Sequence, residues 1–167
     1  MEDFRDKLEA DDSKFLKFLT NIIPGYGGYR DREMRRVADR LLRDAILERL
    51  KPAERSLIAF SGKLNPISEG KLLTAVNSVS KRLETLSDRL RFASYGYTGA
   101  FAAIKIVPEK LDQLYMFDEA LVTKAEAVSS ALAGSPADLQ AALDAAGLAL
   151  DEFEKALDQR EKLLMEG

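Results

Sequence analysis

The sequence predicts an all-α fold: an up-and-down antiparallel four-helix bundle with an additional N-terminal helix, joined by Gly/Tyr-rich and Pro-containing turns. Three observations lead there. Apolar residues recur three and four apart through four long segments, the spacing of a helix face packed lengthwise on its partners. Glycine, proline and N-capping residues fall between those segments, where helices stop and start. The strict alternation that marks strands is missing. With 167 residues, 46% of them hydrophobic, the chain can bury one core, and residues 1–167 are read as a single helical domain.

The N-terminal helix is expected over about 3–22, with Phe4, Leu8, Phe15, Phe18, Leu19 and Ile22 apolar and a polar interruption at Asp11-Asp12-Ser13 that can split it. A second helix is expected over 30–63, kinked near Pro52, which removes an amide donor before Ala53, Leu57, Phe60 and Leu64 continue the stripe. The third, over 68–93, carries Leu72, Val76, Val79, Leu83, Leu86 and Leu90 at alternating steps, with Ser68 as its N-cap after Asn65-Pro66. The fourth, over 108–133, places Leu111, Leu114, Leu121, Ala125, Val128 and Leu132 on one stripe, and position 118 of that stripe is Asp. The fifth, over 136–165, carries Leu139, Leu143, Ala146, Leu150, Phe153, Leu157 and Leu164. Gly134 is expected to end the helix before it, Ser135 to cap it and Pro136 to fill its first turn.

Composition removes most familiar chemistry. There is no Cys and no His, so disulfides, thiolate nucleophiles, Cys/His zinc sites and Ser-His-Asp triads are absent. No apolar run approaches the roughly 18 residues that span a bilayer, and Met1-Glu2-Asp3 is the reverse of a signal peptide's basic start, so a cytoplasmic protein is expected. Residues 30–108 hold 16 Lys/Arg against 9 Asp/Glu, whereas 109–167 hold 5 against 13. Neighbouring helices of opposite sign can neutralise each other, and a sequence pI near 5.2 argues against nucleic acid as a partner. Phe15-Leu16-Lys17-Phe18-Leu19 is too short, and too close to Asp11 and Asp12, to make a persuasive membrane-surface helix.

Two segments are not generic. Four of the five tyrosines fall in Ile23-Pro24-Gly25-Tyr26-Gly27-Gly28-Tyr29 and Ser94-Tyr95-Gly96-Tyr97-Thr98-Gly99-Ala100-Phe101. Glycine admits tight turns, and tyrosine has an apolar body with a polar tip, so both segments suit bundle-end connections plugged by their own rings. The alternative is that the two turns meet and their hydroxyls line a pocket. A phosphate-cradling loop is rejected at Gly25-x-Gly27-Gly28, since no strand precedes it and no Lys-Ser/Thr follows, although the helix start beyond it, near Arg30 and Arg32, could hold an anion.

Arg32, Arg35, Arg36, Arg40 and Arg43 share a broad helix face with Asp31, Glu33, Asp39 and Asp44. This is either a solvated ladder of i,i+4 pairs or an internal Arg–Asp–Tyr network, for which the planar guanidinium is suited. Asp118, at a seam position, requires a partner, for which an arginine of the 30–43 helix or a tyrosine hydroxyl is expected. An oxygen-only metal role would need a second carboxylate converging on it, from Glu33, Asp39, Asp112 or Glu119.

Taken together, the Ile23–Tyr29 box, the run Arg32-Glu33-Met34-Arg35-Arg36 with Asp39-Arg40-Leu41-Leu42-Arg43, the Arg91–Phe101 segment and Leu114-Tyr115-Met116-Phe117-Asp118 resemble a family of small bacterial helical proteins. That family has an IPGY-x-GY box, an Arg-rich helix and a YGY-x-G-x-F box. The likeness covers roughly residues 20–120; the family has no established activity, so it implies a bacterial cytosolic setting.

Two functions compete. The first is a non-enzymatic interaction or scaffold protein that binds a protein partner or itself, a dimer included. The lack of His, of a nucleophile and of any cofactor signature favours it. The second is a small-molecule, anion or metal-binding protein or enzyme whose site gathers Tyr26, Tyr29, Arg32, Arg36, Asp39, Tyr95, Tyr97 and Asp118. No cofactor is implied, and no residue is assigned as catalytic or metal-binding.

Overall fold

The computed structural model describes residues 13–93 and 108–166, the side chains of Arg32 and Pro108 excepted. Those residues form five helices and no strand: α1 (Lys14–Ile22), α2 (Arg32–Lys63), α3 (Gly70–Phe92), α4 (Pro108–Ala131) and α5 (Leu139–Met165). The expected residues 3–12 of the N-terminal helix and the second Gly/Tyr segment lie outside the described residues.

Helix ends differ in detail from expectation. Asp31 caps α2, its side chain accepting from the Glu33 amide at 2.9 Å. At the helix start that could hold an anion, the chain's own carboxylate takes one of the free amides. α3 is not capped by Ser68: the cap position is Glu69, and Asn65 organises the turn by accepting from the Ile67 and Ser68 amides while Glu69 accepts from the Asn65 amide. α5 starts three residues later than predicted, at the cap Asp138, which accepts from the Ala141 amide at 3.0 Å. A carboxylate that reaches its own helix amides and also suits the helix dipole outcompetes Ser135 as a cap. α2 runs through Pro52 as one helix, because Pro52 sits on its exposed side and only one amide donor is lost.

Side-chain pairs fix which helices meet and in which sense. Arg43 bonds the Leu90 carbonyl and Ser87 bonds Glu54, so α2 and α3 run antiparallel. Lys124 meets Glu152 and Asp118 meets Arg160, so α4 and α5 are antiparallel too. Arg82 with Asp151 and Arg89 with Asp158 place α3 alongside α5 in the same direction. α1 lies on α4, where Ser13 donates to Asp112 at 2.6 Å. The core between them is continuous: Leu42, Ile46 and Leu50 of α2, Leu83 and Leu90 of α3, Leu121 and Val128 of α4, and Leu150 and Phe153 of α5 are essentially inaccessible. Removing such surface from water is the main stabilising contribution.

The basic α3 and acidic α5 do neutralise one another across their interface. Arg82 grips Asp151 and Glu154, and Arg89 grips Asp158 and Glu161.

Candidate functional site

Among the described residues, the buried charged side chains Arg35, Asp39, Arg43, Asp118 and Arg160 gather where the first Gly/Tyr turn meets α2, α4 and α5. The turn is shaped by Gly25 and Gly28, both at φ +80°, a conformation that a side chain disfavours. At Gly28 a Cβ would also come within 2.5 Å of the Tyr115 hydroxyl, so the backbone there lies against the hydroxyl end of a buried tyrosine. That passage lets the Tyr29 amide donate to the Tyr115 hydroxyl at 2.9 Å, while the Tyr29 ring stacks on Tyr115 with centroids 5.6 Å apart. Tyr26 packs edge-on against Tyr29 at 5.9 Å. Both rings are buried, and both hydroxyls point at the same atom.

That atom is Oδ2 of Asp118, which accepts from Tyr26 at 3.1 Å and, in a shorter contact, from Tyr29. The other carboxylate oxygen accepts from Nε of Arg160 at 2.6 Å. Arg160 then uses Nη2 on Asp39 Oδ1 at 2.8 Å and on the Tyr29 hydroxyl at 3.2 Å. The second oxygen of Asp39 accepts from Nε of Arg43 at 2.9 Å, and Nη1 of Arg43 donates to the Leu90 carbonyl of α3. On the other side, Nε of Arg35 donates to the Tyr29 carbonyl at 2.8 Å. One chain of hydrogen bonds thereby ties the Gly/Tyr turn to all four long helices, and among the described residues no buried side-chain N or O lacks a partner.

Electrostatics follow from depth. Burial pushes the Asp118 carboxyl above the ordinary aspartate range, and the Arg160 charge and the Tyr29 and Arg160 hydrogen bonds pull against it. Burial works against the Arg160 charge as well, yet Asp118, Tyr29 and Asp39 outweigh it and hold the guanidinium firmly protonated. The phenols of Tyr26 and Tyr29 are pushed far up, first by burial; neighbouring Tyr29 and then Asp118 add to it for Tyr26, and Asp118 adds to it for Tyr29. These hydroxyls stay neutral donors and cannot serve as bases near neutral pH.

Of the residues singled out from sequence, Tyr26, Tyr29, Asp39 and Asp118 come together. Arg36 is exposed, away from the cluster; the Arg32 side chain, Tyr95 and Tyr97 lie outside the described residues. The Arg-rich face divides: Arg35 and Arg43 turn inward, whereas Arg36 and Arg40 face water. Of the two partners expected for Asp118, the tyrosine hydroxyl is present, from both Tyr26 and Tyr29, whereas the arginine comes from α5, as Arg160, and not from the 30–43 helix.

Asp39 is the second carboxylate of the place, but the Arg160 guanidinium stands between it and Asp118, where a cation would have to go. Among the described residues, no three acidic side chains group as a metal site would need. Beside Arg43 and Arg160 lies a cavity of about 10 Å3, with room for about one water.

Arg160 and Tyr115 were missed in the sequence. Arg160 carried the same signal as Asp118: the α5 seam steps four and three as far as Leu157, then seven to Leu164, and position 160 fills the gap. Two opposite charges at seam positions of consecutive antiparallel helices are each other's obvious partner.

Compared with protein-family models, curated proteins and solved structures, the chain matches none.

Proposed function

We propose that this chain is a non-enzymatic helical interaction or scaffold protein of the bacterial cytosol, its four long helices forming an up-and-down bundle, with the Tyr/Arg/Asp cluster as its internal clamp. The observation that carries this reading is the state of Asp118. Its carboxylate already accepts from Tyr26, Tyr29 and Arg160, and the Arg160 guanidinium is shared with Asp39 and Tyr29. A ligand that bound there would have to break bonds worth more in the dry interior than those it could offer. The Gly/Tyr box then has a structural purpose, which is to bring two phenols and a backbone amide onto α4.

Such a clamp frees the outer faces for partners. No described helix is long and apolar enough to cross a membrane, and the apolar side chains left outside belong to surfaces a protein could cover, among them Ile58 and Leu148.

Native mass spectrometry of the purified, unheated protein tests the reading. It predicts multiples of the bare 18.5 kDa chain mass with nothing retained. A tightly held small molecule or metal that is lost on Asp118→Asn would overturn it and make the cluster a ligand site.

A further inference from the structure

The Arg160 guanidinium has one nitrogen that the clamp does not use. Its Nε donates to Asp118 and its Nη2 to Asp39 and the Tyr29 hydroxyl, while Nη1 meets no acceptor among the described residues. The residue is only 2% exposed, and charged donors left without an acceptor at such depth are strongly unfavourable. Among the described residues no fully buried side-chain nitrogen lacks a partner, so Nη1 must border open space. The cavity of about 10 Å3 that Arg160 lines supplies that space.

Two more guanidiniums reach the same cavity, each from a different helix. Arg43 of α2 directs Nε to Asp39 and Nη1 to the Leu90 carbonyl, and its Nη2 meets no acceptor among the described residues. Arg89 of α3 directs Nε and Nη2 to Glu161 and Asp158, which leaves its Nη1 in the same state. The wall also holds an acceptor. Glu161 lines the cavity, and each of its carboxylate oxygens takes one bond from Arg89 and keeps a lone pair free. Leu42, Ile46, Leu121 and Leu157 close the remainder.

Spare donors on three helices and a carboxylate with spare lone pairs thus surround a space of one water's size. An internal water asks for that combination, because it both accepts and donates and needs two to four polar partners. The guanidiniums repel a cation, and a halide is larger than the space and would face Glu161.

We propose that one ordered water is a member of the clamp, accepting from Nη1 of Arg160 and from Arg43 or Arg89 while donating to Glu161. It gives the third Arg160 nitrogen an acceptor and joins α2, α3 and α5 at one point, displacing none of the existing bonds. It also links the buried cluster to the outer Arg89–Glu161 rung. A water held in this way serves the fold whatever the chain binds outside, so its test stands apart from the mass-spectrometry result.

Oxygen-17 relaxation dispersion of the full chain counts waters held longer than the molecule tumbles. Ala93→Leu places an apolar side chain at the half-buried edge of the cavity, and Glu161→Ala removes the acceptor. Each variant should lose the amplitude of one water relative to the parent. A high-resolution crystal structure of the parent should show a solvent peak within hydrogen-bond reach of Arg160 Nη1 and Glu161. Equal amplitudes in the parent and Ala93→Leu, no peak at that position, or a protein acceptor on Nη1 would overturn the proposal. An anomalous bromide peak there after a soak would overturn it too, since the site would then take an anion. Should Ala93→Leu not fold, the parent crystal structure decides alone.

Discussion

Arg160 and Arg82 each hold two carboxylates across a helix boundary, but they do so at different depths. The Arg160 side chain is 3% exposed and its partners Asp118 and Asp39 are 0% and 10% exposed, whereas Arg82 is 32% exposed and its partner Asp151 63%. In the first place each charge has lost its water, so its protein partners are obligatory. In the second, water replaces any partner that is removed. The same residue types therefore specify the position of the Gly/Tyr turn and four helices in one region, and only trim the register of two helices in the other.

The comparison is broken most severely by Arg160→Ala, which would leave Asp118 buried with two phenols and no positive charge. A loss of about 3–5 kcal/mol is expected in denaturant unfolding, or failure to fold. Leucine at both 160 and 118 should cost much less than the sum of the two single changes.

Gly28→Ala should come next, at about 2–3 kcal/mol, since it combines a positive φ with the contact on the Tyr115 hydroxyl. Gly25→Ala has the same φ but meets only Leu41 at 3.7 Å, so it should cost about half as much in the same thermal melts.

The phenols give a pH signature. Tyr26 and Tyr29 have folded values raised above the ordinary 10.0, so their contribution is fully present below about pH 10. It is lost as the pH rises beyond that, because the unfolded chain releases those protons and the folded one holds them. Unfolding followed between pH 8 and 11 should show stability falling with pH, and Tyr26→Phe with Tyr29→Phe should flatten the fall.

The smallest effects belong to the outer rungs. Arg82→Ala and Arg89→Ala should each cost no more than about 1 kcal/mol, and most of that should vanish at 1 M salt. A salt-resistant loss of several kcal/mol would mean that the two depths do not differ as described.

The same contrast explains what could be read in the sequence. Helix positions were legible because every long element has a seam of apolar residues, and α3 and α4 end within about two residues of where that seam and its stop signals put them. Caps were less legible, since Ser68, Ser135 and Asp138 all suit the role locally and only the backbone path chooses among them. In the cluster, Asp118 stood out as a charge on an apolar stripe, and the tyrosines stood out through their glycines. Arg160 did not, because a single arginine in a helix with many exposed charges looks solvated until the gap between Leu157 and Leu164 is noticed. The inward turn of Arg35 and Arg43 against the outward turn of Arg36 and Arg40 is a matter of helix phase, which a broad charged face leaves open.

The most direct test of the clamp is equilibrium unfolding of Asp118→Ala beside the parent chain in guanidinium chloride. Three donors would lose their acceptor at a fully buried position, and a midpoint shift worth about 3 kcal/mol with an unchanged slope is expected. Equal or greater stability in Asp118→Ala would contradict it, because a carboxylate that the fold does not need is what a ligand site contains.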